Sequence, residues 1–119
     1  MTAQDPIHST RGFRVHFYEI EGALVVECHG KLTSENAPML RDEVRARIAG
    51  QKRILVDMKE VPYMDSSGLG TIAGLYVTAR TKGCKLDLCN STKQIHELFK
   101  MSNLLGLFEP VGRCGGRMM

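Results

Sequence analysis

Two runs near the start of the chain alternate between apolar and polar residues. A period of two is typical of half-buried strands. The dipeptide Glu21-Gly22 lies between the runs and favours a tight turn, so the pattern predicts an antiparallel hairpin. The apolar positions of the two runs are Phe13, Val15, Phe17, Leu24, Val26 and Cys28.

Apolar residues recur every three or four positions in three later stretches, which predicts three amphipathic helices. Ser34 or Asn36 is the candidate N-cap of the first helix, and Ser91 with Gln94 forms a candidate capping box for the third. The second helix ends at Gly83. The apolar positions are Ala37, Leu40, Val44 and Ile48; then Leu69, Ile72, Ala73, Tyr76 and Ala79; then Ile95, Leu98 and Phe99.

Short apolar runs lie between these helices. Ile54-Leu55-Val56 is continuous and rich in β-branched residues, which predicts a strand buried on both faces of a parallel sheet. Leu86 and Leu88 predict a further strand. The order β-β-α-β-α-β-α predicts a single α/β domain with a mixed central sheet, an opening antiparallel hairpin and helices packed on it.

The domain is assigned to residues 12–112. Residues 1–11 are polar and are expected to form a flexible N-terminal arm. Residues 113–119 are glycine-rich and are expected to form a flexible C-terminal tail. Leu107, Phe108 and Val111 suit a last short strand or a packed tail.

The net charge, the length of the apolar runs and the first residues limit the classes of function that we expect for this chain. The 119 residues carry a net charge of only +3, which is too balanced for a chain that binds nucleic acid directly. No apolar run approaches the ~18 residues of a membrane span. The first residues lack the layout of a signal peptide. We therefore expect a cytoplasmic protein that does not insert into membranes.

The four cysteines form no CxxC pair and are expected to be reduced thiols. Cys28, Cys84 and Cys89 fall in strand-like runs, which favours buried small apolar residues over metal ligands. No metal or cofactor is expected.

The stretch PYMDSSGLG, residues 62–70, joins an apolar run to the second helical pattern. Asp65 or Ser66 can cap that helix, and Gly68 permits a close approach of backbone. A hydroxyl in the first turn lies beside unpaired N–H groups and the positive end of the helix dipole. This is a favourable place for a phosphate, either bound or covalent.

Three enzymatic interpretations fit the stretch poorly. A nucleophile elbow needs a glycine two residues before the serine, where this chain has Met64 or Asp65. The glycines at 68, 70 and 74 resemble part of a dinucleotide fingerprint, but residues 58–65 separate them from the strand. No Lys-Ser/Thr pair follows them as in a P-loop. We therefore expect a binding module and no enzyme.

The stretch ILVDMKEVPYMDSSGLGTIAGLY, residues 54–76, resembles the signature of bacterial anti-sigma factor antagonists in the STAS domain family. LDLCNSTKQIHELFKMSNLLGLF, residues 86–108, is similar to the family's closing strand and helix. The resemblance implies that Ser66, directly after the aspartate, is phosphorylated by an anti-sigma factor that is also a serine kinase. Unphosphorylated antagonist would sequester that factor and release a sigma factor for transcription, and a phosphatase would reset the switch.

One loop departs from the family pattern. Family members often carry Gly-Glu-Leu-Asp after the second strand, where this chain has Gly30-Lys31-Leu32-Thr33. The alternative function is therefore a non-switching STAS accessory subunit of a membrane lipid transport complex or a larger signalling assembly. Leu69 is expected to be partly exposed and used by the partner. The full set of expected partner-binding residues is Lys31, Thr33, Asp65, Ser66, Ser67, Gly68 and Leu69.

Overall fold

Five strands and three helices make up the part of the chain that the structure, a computed structural model, describes, namely residues 8–10 and 12–101. The strands are β1 (His8–Thr10), β2 (Phe13–Ile20), β3 (Ala23–His29), β4 (Arg53–Glu60) and β5 (Lys85–Cys89). The helices are α1 (Ala37–Ile48), α2 (Ser66–Thr81) and α3 (Lys93–Met101). The strands lie across one sheet in chain order. The first two pairs are antiparallel and the last two are parallel, which confirms the predicted mixed sheet.

The β2–β3 hairpin forms as the alternation predicts. Ile20 pairs with Ala23 next to the turn, and the register continues to Arg14 and His29. Glu21 and Gly22 have φ angles of 45° and 84°. Positive φ at both central residues suits a two-residue turn that follows the right-handed twist of the strands.

The three described helices pack on one face of the sheet. Their buried apolar residues join alternate residues of β2 to β5 in one cluster, and each such side chain stabilises the fold by about 1.5–3 kcal/mol when fully buried. On α2 the buried stripe uses Leu75, whereas Ala73 and Tyr76 are only half-buried. The helical residues of the cluster are Ala37, Leu40, Val44, Ile48, Leu69, Ile72, Leu75, Ala79, Ile95 and Phe99. Within residues 12–101, no helix is long and apolar enough to cross a bilayer.

β1 was not anticipated by the sequence, which placed it in the flexible arm. Its three residues pair antiparallel with Phe13, Arg14 and Val15 of β2. Strand pairing uses backbone groups, so a short polar edge strand needs no alternation of apolar residues. Residues 1–7, the predicted tail at 113–119 and the apolar positions 107, 108 and 111 lie outside the described residues.

The ends of two helices differ from their predicted caps. Asn36 precedes α1, but its side chain makes no capping hydrogen bond there. Thr92, and not Ser91, precedes α3: its hydroxyl accepts from Ile95 N at 3.4 Å and donates to Val61 O at 3.2 Å. The predicted capping box is therefore wrong by one residue, because Thr92 also has a tertiary partner that the local pattern does not show.

The three described cysteines are buried, as predicted. Cys28 and Cys84 are free thiols, and burial raises the pKa of both. Cys89 is disulfide-bonded, so the expectation of a reduced thiol is wrong at that position. Cysteine pairing cannot be deduced from spacing alone, which is why the sequence did not show it.

Candidate functional site at the start of α2

Two chain segments meet where β3 and β4 end. Gly30 N donates to Glu60 O at 2.9 Å, and Leu32 N donates to Tyr63 O at 3.0 Å. Further on, Asp65 N donates to Leu32 O at 3.1 Å. These hydrogen bonds extend the parallel pairing of β3 with β4 beyond the ends of the strands, with interruptions. They hold the loop of residues 30–34 beside the first turn of α2.

Asp65 joins the two segments through its side chain. One carboxylate oxygen, Oδ1, accepts from Gly68 N at 3.0 Å, which makes Asp65 the N-cap of α2 as predicted. The other oxygen, Oδ2, accepts from Ser34 N at 3.2 Å. The carboxylate therefore stabilises the helix start and also holds the loop against it.

Gly68 is required by the closeness of these segments. A Cβ atom at Gly68 would lie 2.7 Å from Leu32 O and 2.9 Å from Met64 Cγ. Both distances are shorter than van der Waals contact, so only glycine fits without a shift of the backbone. The predicted close approach is confirmed, and it is an approach within the fold.

Leu69 corrects the expectation of a partly exposed contact residue. Its side chain is only 8% exposed and belongs to the main apolar cluster. The first turn of α2 packs on the loop that contains Leu32, and this contact turns Leu69 inward. Leu69 therefore belongs to the core and does not form part of the surface.

The loop after β3 is ordered by Asn36, whose side chain is almost fully buried. Its Oδ1 accepts from Thr33 N at 2.9 Å, and its Nδ2 donates to Lys31 O at 3.0 Å. The Thr33 hydroxyl accepts from Glu35 N at 3.3 Å. The Lys31 side chain is exposed, whereas Thr33 is half-buried and bonded within its own loop.

Ser66 and Ser67 are the first two residues of α2, and both are exposed. Among residues 12–101 no group accepts a hydrogen bond from their backbone N–H groups. These N–H groups and the positive end of the helix dipole make the surface at Ser66 favourable for negative charge.

The structure therefore brings the predicted residues together but gives them different roles. Lys31, Ser66 and Ser67 are exposed at the surface, while Gly68 and Leu69 lie beneath it. Sequence reasoning missed Tyr63, whose side chain is 44% exposed next to this surface. The signal was the position of Tyr63 before Met64: in extended backbone neighbouring side chains point to opposite sides, and Met64 is buried.

Within the described chain, no group of three or more His, Cys, Asp or Glu side chains could hold a metal ion. His29 bonds to Glu27 on β3, and the exposed His96 lies on α3. The exposed polar groups of the site are the Lys31 side chain, hydroxyls and N–H groups, which suit recognition of a partner or of a phosphate.

The chain is similar to known regulatory proteins. It is 33% identical over 85 residues to an anti-sigma F factor antagonist of Paenibacillus polymyxa, covering 70% of this chain and 73% of that protein. It is 27% identical over 96 residues to the anti-sigma-B factor antagonist of Bacillus subtilis, covering 81% and 88%.

The fold is shared with SpoIIAA, an anti-sigma factor antagonist. The unphosphorylated form has a TM-score of 0.69 at 18% identity, covering 80% of this chain and 85% of SpoIIAA. The phosphorylated form of the Bacillus protein has a TM-score of 0.65, also at 18% identity, covering 80% and 88%. The family model described as the STAS domain matches residues 14–113. This match spans most of the chain, and with the resemblance of its Asp-Ser-Ser-Gly stretch it shows that the chain belongs to the STAS domain family.

Proposed function

We propose that this protein is an anti-sigma factor antagonist whose binding state is set at Ser66. While Ser66 is unphosphorylated, the protein binds and sequesters a cognate anti-sigma factor with serine kinase activity, and a sigma factor is released. The observation that carries the proposal is the exposure of Ser66 at the first residue of α2, directly after the capping Asp65. The names of the two relatives support the antagonist function.

A phosphate at Ser66 acts on binding and not on folding. It adds about 1.5 to 2 negative charges and three acceptor oxygens. The Ser66 side chain points away from the apolar cluster, and negative charge is stabilising near a helix N-terminus. The domain therefore stays folded when it is modified. A partner that covers Ser66 would instead meet new bulk and new charge.

The neighbours of Ser66 suit a protein surface. Lys31 supplies an exposed cation, Tyr63 an exposed aromatic ring and Ser67 a second hydroxyl. Aromatic residues are enriched where proteins bind one another. Asp65, Gly68 and Leu69 support this surface from below, so the protein works as a binding module and carries out no catalysis of its own. A phosphatase resets it.

The mass of the intact protein tests this function. Protein isolated from its own cells should contain a form heavier by one phosphoryl group, and phosphatase treatment should remove it. Phosphopeptide mapping should place the group on Ser66, and a Ser66→Ala variant expressed in the same cells should lack it. A phosphate on Ser67 or Thr33 would contradict the residue assignment. A chain that is unmodified in every growth condition would favour the alternative of a non-switching accessory subunit.

A further inference from the structure

A groove runs between the exposed faces of α1 and α2, and it begins beside Ser67. Its volume is about 480 Å³. We call it the α1/α2 groove and define it by Arg41 and Arg45 on α1 and by Ser67, Gly70, Thr71 and Gly74 on α2. Ser66 does not line the groove but is the residue before Ser67, so a protein that extends beyond the end of the groove can reach both.

The wall on α1 carries positive charge. Arg41 and Arg45 are one turn apart, so they share one face of the helix, and both are exposed. Arg41 Nε lies 3.1 Å from Asp42 Oδ1, while no residue in the described part of the chain forms an ion pair with Arg45. The wall on α2 is uncharged, because the helix has no charged residue before Arg80. A positive wall on α1 facing an uncharged wall on α2 favours a negatively charged binding partner.

The floor of the groove is bare backbone at Gly70 and Gly74. A Cβ atom at either position would meet nothing within 4 Å. Unlike Gly68, these glycines are therefore not required by packing inside the described chain. Glycine is less favourable than alanine within a helix, so the fold alone does not account for them. Two such positions one turn apart let another chain approach the backbone of α2 closely.

We infer that the α1/α2 groove binds an acidic segment of the anti-sigma partner, with its carboxylates facing Arg41 and Arg45. This inference rests on the proposed function and adds to it the charge of the partner's contacting segment. It also gives the proposed switch an electrostatic cause, because a phosphate on Ser66, next to Ser67 of the groove, would add negative charge near the bound segment and repel it. The chain's own residues 102–119 are a poor match, since they contain Arg113 and Arg117 but only one acid, Glu109.

A peptide titration tests the charge preference without the partner protein. The probe is a short capped alanine peptide with glutamate at every fourth position, which matches the spacing of the two arginines. The control peptide has lysine in place of each glutamate. In nitrogen-15 NMR spectra, the acidic peptide should shift the amide signals of Ser67, Gly70, Thr71 and Gly74, and the lysine peptide should not.

Charge reversal and a matched control then locate the site. Arg45→Glu should weaken binding of the acidic peptide about tenfold, whereas Lys52→Glu, an equal charge change at an exposed residue outside the groove, should leave it nearly unchanged. Gly70→Ala with Gly74→Ala should weaken peptide binding while raising the thermal unfolding temperature. Lower affinity together with a higher unfolding temperature would show that the added methyl groups block the groove and do not damage the fold.

Several outcomes would overturn the inference. These are no shifts with the acidic peptide, equal shifts with both peptides, shifts confined to another surface, or unchanged affinity in Arg45→Glu. A dimer seen by light scattering that Arg45→Glu dissociates would assign the groove to a second copy of the chain instead. None of these results bears on whether Ser66 is phosphorylated, so a failure here is distinguishable from a failure of the proposed function.

Discussion

The Asp65 side chain makes two hydrogen bonds, one to the first turn of α2 and one to the loop after β3. Its role as a cap could be predicted, because aspartate just before an apolar helical pattern is a common N-cap. Its bond to Ser34 N could not, because that partner comes from a loop distant in the chain. Asn36 is a similar case, since a local reading favours a cap and the structure uses its side chain to hold the loop.

Asp65→Ala should lower the free energy of unfolding by about 1–2 kcal/mol, towards the upper end for an N-cap, since it removes two hydrogen bonds. Asp65→Asn is the matched control. Asparagine is an equally good cap, but its amide nitrogen cannot accept from Ser34 N, so its loss should be smaller. Urea denaturation midpoints measure both. An unchanged midpoint in Asp65→Ala would show that another group caps α2.

The structure predicts that Leu69 contributes to the stability of the fold, whereas the sequence predicted a contribution to partner binding. Since its side chain is buried in the main cluster, Leu69→Ala should cost about 2–5 kcal/mol of stability. Ser67→Ala, in the same turn but exposed, should change stability by no more than about 0.5 kcal/mol. Thermal unfolding of the two variants makes the comparison. A Leu69→Ala protein as stable as the parent would contradict the assignment of Leu69 to the core.

The β2–β3 hairpin holds the Glu27 carboxylate between two imidazole rings. Glu27 Oε1 lies 3.2 Å from His29 Nε2 and 3.5 Å from His16 Nδ1, and His16 and Glu27 are cross-strand partners. Partial burial alone would raise the pKa of Glu27. The hydrogen bonds from His29 and His16 outweigh that effect and hold the pKa below its usual value.

The hairpin should therefore lose stability in acid. Because the pKa of Glu27 is lower in the folded than in the unfolded chain, the unfolded chain binds protons more readily as the pH falls through about 4.3 and below. Glu27 stabilises the fold above that range and ceases to do so within it. Denaturation midpoints at neutral pH and near pH 3.5 should differ less in Glu27→Gln than in the parent.

Glu19→Gln provides the control for that comparison, since Glu19 is an exposed carboxylate on the other strand of the same hairpin, β2. It should keep the parent's difference between the two pH values. Equal acid sensitivity in Glu27→Gln and the parent would mean that the imidazole contacts contribute nothing to stability.

The elements themselves were predictable where one local signal dominates. The two-residue turn, the continuous run of β4 and the stripe of α1 each follow from spacing and residue type. β1 and the cap of α3 were not predictable, because they depend on backbone pairing and on a tertiary partner. On α2 the pattern allowed two adjacent stripes, and packing against the sheet selected the one through Leu75.

The residues of the candidate site could be predicted from the sequence, but the shape of the site could not. The Asp-Ser-Ser-Gly stretch marked the helix start, and the resemblance to the STAS domain family pointed to Ser66. The α1/α2 groove was beyond sequence reasoning, because it exists only once two helices far apart in the chain lie side by side. Tertiary packing also decides which residues of the site are exposed and which are buried beneath them, so the sequence did not show this division either.

The proposed switch at Ser66 gives a prediction that involves the whole molecule. Ser66→Ala removes the hydroxyl without adding charge, so it should keep partner binding and resist phosphorylation. Ser66→Asp adds charge of the phosphate's sign at about half its magnitude, so it should weaken binding partially. Both variants should keep the parent's circular dichroism spectrum, because Ser66 is exposed and an acid is not destabilising at a helix N-terminus.

Ser67 is the control for this proposed switch, since it is the next hydroxyl along α2 and is also exposed. Ser67→Ala should still accept phosphate from the kinase and should still lose partner binding when it does. Affinity can be measured with the anti-sigma factor purified from the same cells, at one fixed salt concentration because charge carries the effect. Binding of Ser66→Asp as tight as that of the parent, with its fold intact, would show that charge at this helix start does not control the partner.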